Sequence, residues 1–397
     1  MKKKTWRNLL ICICLVSMAG CSSSEQNRGN DDADVTDSQE EDPYQVQDIE
    51  ISEKEKEKIE SSIYLAGGLC KDIYIGADKG ESSNIVLDEE TVHKMTEAIA
   101  SQGLSATCGS YDYNMLNYEK VDKELRDAAE GKVSETGFYE ITTSGYIRYW
   151  GLKSENLELT ITYANASFNE EMELQIRQIE KFKAYDWEYT EKGWLIWEKA
   201  LSQNEEMDMH SFFRILPLEE KCREFGNKYI RPVSYFCNNL FLVNWDVDSM
   251  DKIEFNDLYD FLYEMKFGRN LDEERTQAGI EKGEFESVIQ TFFDISQEEL
   301  ESFARYNSQQ GIYPWEPIGA WNRVQQFQPF PEVVKCTENQ DGTWTLYVEA
   351  IFVEKGSDCY FKHTVTMKEE DGRWIYTGNR IEEGEERLPG YKPRREF

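Results

Sequence analysis

The sequence predicts an α+β protein of two domains, in which helices lead twice into an antiparallel β-meander. Three observations predict it. Apolar residues recur at helical spacing in two blocks, near 53–131 and near 212–306. Alternating runs rich in Tyr, Trp, Val and Thr follow each block. Short turns separate those runs, among them Asp341-Gly342 and Asp371-Gly372, the dipeptide that favours two-residue hairpins.

The first domain is expected over 51–200. Its opening run Glu53-Lys-Glu-Lys-Glu-Lys58 leads into Ile59, Ile63 and Ala66, which share one helical face. Gly67-Gly68 follows and reads as a kink or a point of close packing. Asp88-Glu-Glu-Thr91 opens a second helix with an acidic first turn. Val92, Met95, Ala98 and Ile99 mark its buried face, and Gly103 sits where a C-terminal cap belongs. A third helix is predicted from Tyr118 to Glu130. The period then changes to two, giving strands Phe138–Thr142, Tyr146–Trp150, Leu157–Tyr163, Tyr185–Tyr189 and Trp194–Trp197.

Residues 201–211 are polar and are expected to connect the domains. The second domain, 212–384, is predicted to start with a helix through Phe212-Phe213 to Lys228. Helices Ile253–Met265, Phe285–Phe293 and Gln297–Tyr306 follow. Beyond the loop Tyr313-Pro-Trp-Glu-Pro317 come strands Val333–Glu338, Trp344–Val353, Tyr360–Met367 and Trp374–Asn379, and 385–397 form a polar tail. The hairpin Asp371-Gly-Arg-Trp374 resembles the closing hairpin of NTF2-like and cystatin-like domains. That resemblance implies helices packed on one face of a curved antiparallel sheet.

The N-terminus carries a separate signal. Lys2, Lys3, Lys4 and Arg7 precede an apolar run from Leu9 to Met18, then Ala19, Gly20 and Cys21. A charged start, a short apolar stretch and a small-residue cleavage site make a secretory signal peptide over 1–20. The run is well short of the ~20 apolar residues of a spanning helix. Val16-Ser-Met-Ala-Gly-Cys21 resembles the lipobox of bacterial lipoproteins, with Met18 where that family favours Leu. The resemblance implies a diacylglyceryl group, with acyl chains of the palmitate type, attached to the Cys21 thiol, and cleavage just before that residue. The membrane is then a partner through a lipid anchor, and the address is the extracytoplasmic face of the cell membrane. Residues 21–50 contain Asp31-Asp32-Ala-Asp34 and Glu40-Glu41-Asp42-Pro43 and little that could bury a core, so they are expected to form a disordered acidic tether. Further on, Phe241-Leu-Val-Asn-Trp245, Phe292-Phe-Asp-Ile-Ser-Gln-Glu-Glu-Leu300, Ala304-Arg-Tyr306 and Tyr313-Pro-Trp315 are similar to segments of uncharacterised clostridial-type lipoproteins, a family of unknown function. That resemblance brings no activity with it.

Charge narrows the function classes. Asp and Glu total 77 against 44 Lys and Arg, a formal charge of −33, so the field repels nucleic acid and anionic headgroups. Nucleic acid is therefore excluded as a partner. Six cysteines lie beyond the lipobox: Cys70, Cys108, Cys222, Cys237, Cys336 and Cys359. Outside the cytoplasm they are candidates for disulfides, with local pairs Cys70–Cys108, Cys222–Cys237 and Cys336–Cys359; free buried thiols are the equal alternative.

Recognisable catalytic motifs are missing. His93, His210 and His363 stand apart with no partner at ligand spacing, and neither Gly-x-Ser-x-Gly nor a phosphate-binding loop occurs. Asp246-Val-Asp248-Ser-Met-Asp251 is a weak calcium candidate, since Met250 and Asp251 stand where an EF-hand wants an oxygen ligand and Gly; capping of the next helix by Asp248 or Asp251 is the plainer role. Trp315 and Trp321, set among prolines, are candidates for a ring-lined groove, against the plainer role of core packing. The sequence thus implies a non-enzymatic binding or interaction module at the cell envelope, with no cofactor and with an envelope protein or a small ligand as partner. An envelope hydrolase using a carboxylate pair, or a solute-binding lipoprotein of a transporter, are the alternatives. The strand–helix rhythm of the latter is missing.

Overall fold

A capping box starts the first long helix: Ser52 Oγ accepts from the Glu55 amide while the Glu55 carboxylate accepts from the Ser52 amide. The computed structural model describes residues 42–80, 84–109, 113–201, 210–272, 274, 276, 278–319, 328–382 and 388–394. The leader, Cys21, nearly all of the acidic segment before Asp42, residues 202–209 of the connector, and Trp321 lie outside them. Residues Pro43–Phe397 form one compact unit of the α+β class.

The first half holds β1 (Gln47–Asp48), α1 (Glu53–Gly76), α2 (Glu89–Ala100), β2 (Ala106–Cys108), α3 (Glu119–Ala129), β3 (Ser134–Ile141), β4 (Ile147–Glu155), β5 (Glu158–Phe168) and β6 (Leu174–Lys183). The strands form one sheet in the order β1-β6-β5-β4-β3-β2, antiparallel except for β2 beside β3. α1 runs through Gly67-Gly68 rather than ending there. A Cβ on Gly67 would stand 2.3 Å from Leu174 Cδ2, so the glycine lets β6 approach the helix. β6 escapes a period-two reading because Arg177 is an extra residue in its ladder: Asn165 pairs with Gln178 but Ala166 pairs with Ile176.

Alternation along β3 sends its side chains to two cores. Tyr139 and Ile141 join α1 and α2, whereas Phe138 joins α3 and a second sheet made of β7 (Asp186–Tyr189), β8 (Trp194–Glu198) and β9 (His210–Arg214). β9 corrects the helix expected from Phe212. Its rings belong to two sides of a strand: Phe213 stacks on Trp197 and Phe212 meets Trp194 edge-on. His210 and Ser211, assigned to the connector, are already in that strand.

The second half holds α4 (Glu220–Phe225), which runs into a wider π turn over Gly226–Ile230, then β10 (Trp245–Asp246), α5 (Phe255–Phe267), β11 (Ile280–Glu281), α6 (Lys282–Phe292), α7 (Gln297–Phe303), β12 (Ile312–Tyr313), β13 (Phe330–Glu338), β14 (Thr343–Ile351), β15 (Lys362–Glu370) and β16 (Arg373–Ile381). The last four form the expected meander, extended by β10 to the order β10-β16-β15-β14-β13. Asp371 and Gly372 have φ of 50° and 76°, the paired positive values of a type I′ turn. Helices α5 and α6 bury aromatic residues of the second core, including Phe255, Tyr259 and Phe285, and α7 adds Leu300.

The halves share apolar and ionic contacts. Trp194, Ile196 and Phe212 from the first pack with Ile351 from the second. Beside them Arg214 Nε lies 3.2 Å from Glu332 Oε1, and Trp194 Nε1 donates to Glu332 Oε2. The end of the chain, expected as a polar tail, docks instead. Arg394 bonds both carboxylate oxygens of Asp260 at 2.9 Å, pairs with Asp257, and donates to Glu316 O, while Tyr391 donates to Asp257.

Candidate functional site

The site is built on one sheet face from a charge set in each of two aromatic strands. Register places Glu140 of β3 directly opposite Arg148 of β4, and Phe138 opposite Trp150. Residues two apart share a face, so Trp150 lies beside Arg148, and both converge on the same carboxylate. Arg148 NH1 donates to Glu140 Oε1 and Oε2 at 3.3 and 3.4 Å, and Trp150 Nε1 donates to Oε2 at 2.9 Å. Glu140 is 5% exposed. The backbone of Gly109 comes close: a Cβ there would stand 3.3 Å from Glu140 Oε1.

This pair lines an open cleft of about 330 Å³, together with Tyr113, His210, Phe212 and Arg214. A second cavity of about 440 Å³ adjoins it through the shared residues Cys108, Gly109, Glu140 and Arg148, and adds His93 and Glu89. Two of the three histidines, more than a hundred residues apart in sequence, thus line the two adjoining cavities. His93 packs against Tyr113 with ring centroids 4.4 Å apart and planes tilted by 30°, and its Nε2 lies 3.6 Å from Glu89 Oε1. His210 Nε2 sits 2.6 Å from Glu198 Oε1. Burial pushes the Tyr113 phenol up to about 12, so it stays protonated near neutral pH and can donate as well as accept.

Among the described residues, two polar atoms near the pair find no hydrogen-bond partner. Arg148 Nε and Asn165 Oδ1 are buried without a hydrogen bond, and register puts Asn165 of β5 opposite Arg148. Buried polar groups ordinarily find a partner, so an orphaned donor beside an open cleft marks a place where a bound group would gain one.

The sequence-expected residues fall elsewhere. Trp315 is 3% exposed and belongs to the second core, so it lines no groove. Asp246 closes its own turn, accepting from Ser249 Oγ at 2.7 Å and from the Asp248 amide. The Asp246, Asp248 and Asp251 carboxylates do not converge as metal ligands; among the described residues one such group exists, Glu219 with Cys222 and Cys336. α5 starts from Glu254, so neither Asp248 nor Asp251 caps it. Cys70, Cys222, Cys237, Cys336 and Cys359 are free thiols, so none of the expected local pairs forms, and Cys222 has Cys336 beside it rather than Cys237. His363 is a core residue: Nε2 meets Tyr235 OH at 2.9 Å, Nδ1 meets Asn379 Oδ1 at 2.7 Å, and burial pulls its pKa down to about 4.

Fold and site together define an α+β protein with a polar, aromatic-walled cleft over a buried carboxylate–guanidinium pair. The chain belongs to the family of unknown function DUF6070, whose model matches residues 56–394. No curated protein and no solved structure gives a significant match. Among the described residues no helix is long and apolar enough to cross a membrane.

Proposed function

We propose that this protein is a lipid-anchored binding module on the extracytoplasmic face of the cell membrane, held there through Cys21, and that its cleft takes a small ligand carrying both charges, of the size of an amino acid or short peptide. The observation that carries the ligand class is the Glu140–Arg148 pair with its orphaned Arg148 Nε. A ligand carboxylate suits the guanidinium, a ligand ammonium suits Glu140, and Trp150 and Tyr113 supply flat apolar walls. A hydrolase with two carboxylates would need them facing each other across the cleft. Here Glu140 faces a guanidinium and an indole N–H, which supports binding over that chemistry.

The binding reading is tested by thermal denaturation of the full chain against free amino acids, di- and tripeptides, and oligosaccharides. A ligand at a hundredfold its dissociation constant adds about 2.7 kcal/mol. Amino acids or peptides are expected to stabilise the chain. Stabilisation by oligosaccharides alone would overturn the ligand class, and flat curves throughout would overturn the cleft as a small-molecule site. The anchor is tested separately by Cys21→Ala, which is expected to release the chain from the membrane; unchanged processing and retention would refute it.

A further inference from the structure

We propose a second site, for a thiophilic divalent cation such as Zn²⁺, formed by Glu219, Cys222 and Cys336 at the junction of α4 and β13. Its ligand atoms come from two elements that are far apart in sequence. Glu219 precedes α4 and Cys222 lies three residues on, so one helical turn brings the carboxylate and the thiol to the same side. Cys336 arrives from β13, just after a register shift between Val333 and Lys335 that re-aims the strand. The carboxylate oxygen and both sulfurs lie within 4.8 Å of one another, and Cys222 Sγ is 3.8 Å from Glu219 Oε2.

The donor set selects the metal. Two sulfurs and one oxygen are a soft, borderline set, suited to Zn²⁺ and ill suited to Ca²⁺ or Mg²⁺. Bonds of about 2.3 Å to sulfur and about 2.0–2.2 Å to oxygen require the three atoms to close up by roughly an ångström from their widest spacing. That movement falls within side-chain rotation of an exposed glutamate and a half-buried cysteine. Cys222 is fully buried and Glu219 is exposed, so the site is dry on one side and open on the other. Three protein ligands with an open side leave a fourth position for water or a ligand atom, the pattern of a reactive or exchanging site rather than a closed structural one.

Binding removes the thiol protons and forms two metal–sulfur bonds and one metal–oxygen bond, with no change of oxidation state. The test is titration of the reduced full chain with Co²⁺, followed by displacement with Zn²⁺. The expected result is one equivalent of Co²⁺ giving a sulfur-to-metal charge-transfer band, which Zn²⁺ abolishes. Cys336→Ser removes the band, and Glu219→Gln, an exposed change that leaves the core intact, weakens Co²⁺ at least tenfold. Cys359→Ser, a thiol outside the cluster, leaves the band as it was. Absence of a sulfur band, or a band that survives Cys336→Ser, overturns the site. So does mass-spectrometric detection of a Cys222–Cys336 disulfide in chain purified without reductant, since that cross-link would consume both ligands.

Discussion

Two ion pairs in this molecule use the same chemistry in opposite surroundings. Arg214–Glu332 is nearly sealed: although Arg214 borders the same cleft, the side chains are only 8% and 0% exposed, and Trp194 donates to the carboxylate. Burial raises the Glu332 carboxyl pKa and lowers that of Arg214, so each group depends on the other to stay charged. Glu140–Arg148 is open: the acid is buried, but the guanidinium side chain is 32% exposed and stands in a cleft. A sealed pair fixes how the two halves meet. An open pair keeps a charge available to something outside. Burial of the acid alone would not separate them; what does is how far the base is exposed, 32% for Arg148 against 8% for Arg214.

The sharpest way to strain the sealed class is its second member, Arg394 with Asp257 and Asp260. Arg394→Ala leaves Asp257 and Asp260 buried together without their cation, and is expected to cost about 3–5 kcal/mol in denaturant unfolding. A cost near zero would mean that the end of the chain does not hold α5. Arg214→Met strands Glu332 in the same way. Replacing both partners, Arg214→Met with Glu332→Leu, is expected to cost less than Arg214→Met alone, because the desolvated charge is gone. A double-mutant cycle reads this directly.

His363 adds a pH window to the sealed region. Its folded pKa is depressed to about 4 from 6.5, so the unfolded chain binds the proton first as pH falls. Its contribution is whole above about 6.5 and is lost as pH falls toward 4, roughly 3 kcal/mol in all at about 1.36 kcal/mol per unit. His363→Gln should flatten that part of the stability–pH curve. The smallest expected stability effect belongs to the open pair. Arg148→Ala should cost about 1–3 kcal/mol, less than Arg394→Ala, since Trp150 still donates to the Glu140 carboxylate it leaves behind. A loss as large as that of Arg394→Ala would make Arg148 structural and erase the distinction.

Much of the fold was legible because it rests on local pattern. The α2 face, the Asp371-Gly372 turn and the final meander follow from spacing and turn chemistry. β9 was misread because the adjacent rings Phe212-Phe213 fit a helix start as well as a strand packed on both faces. β6 was missed because Arg177 breaks its alternation. The site left a fainter trace: Glu140 and Arg148 are charges inside runs of aromatic residues, at positions alternation assigns to a covered face. Their pairing depends on register, and the placing of His93 and His210 on adjoining cavities depends on packing, neither of which spacing encodes. Trp315 misled because prolines around a Trp suit a groove, yet its ring serves the core.

The most direct test is calorimetric titration of the full chain with the amino acid or short peptide that stabilises it most, repeated on Glu140→Gln and Arg148→Ala. The account predicts binding at one site per chain, weakened at least tenfold by either substitution while both variants stay folded. Unchanged affinity in both folded variants would place the ligand elsewhere and contradict the assignment of the cleft.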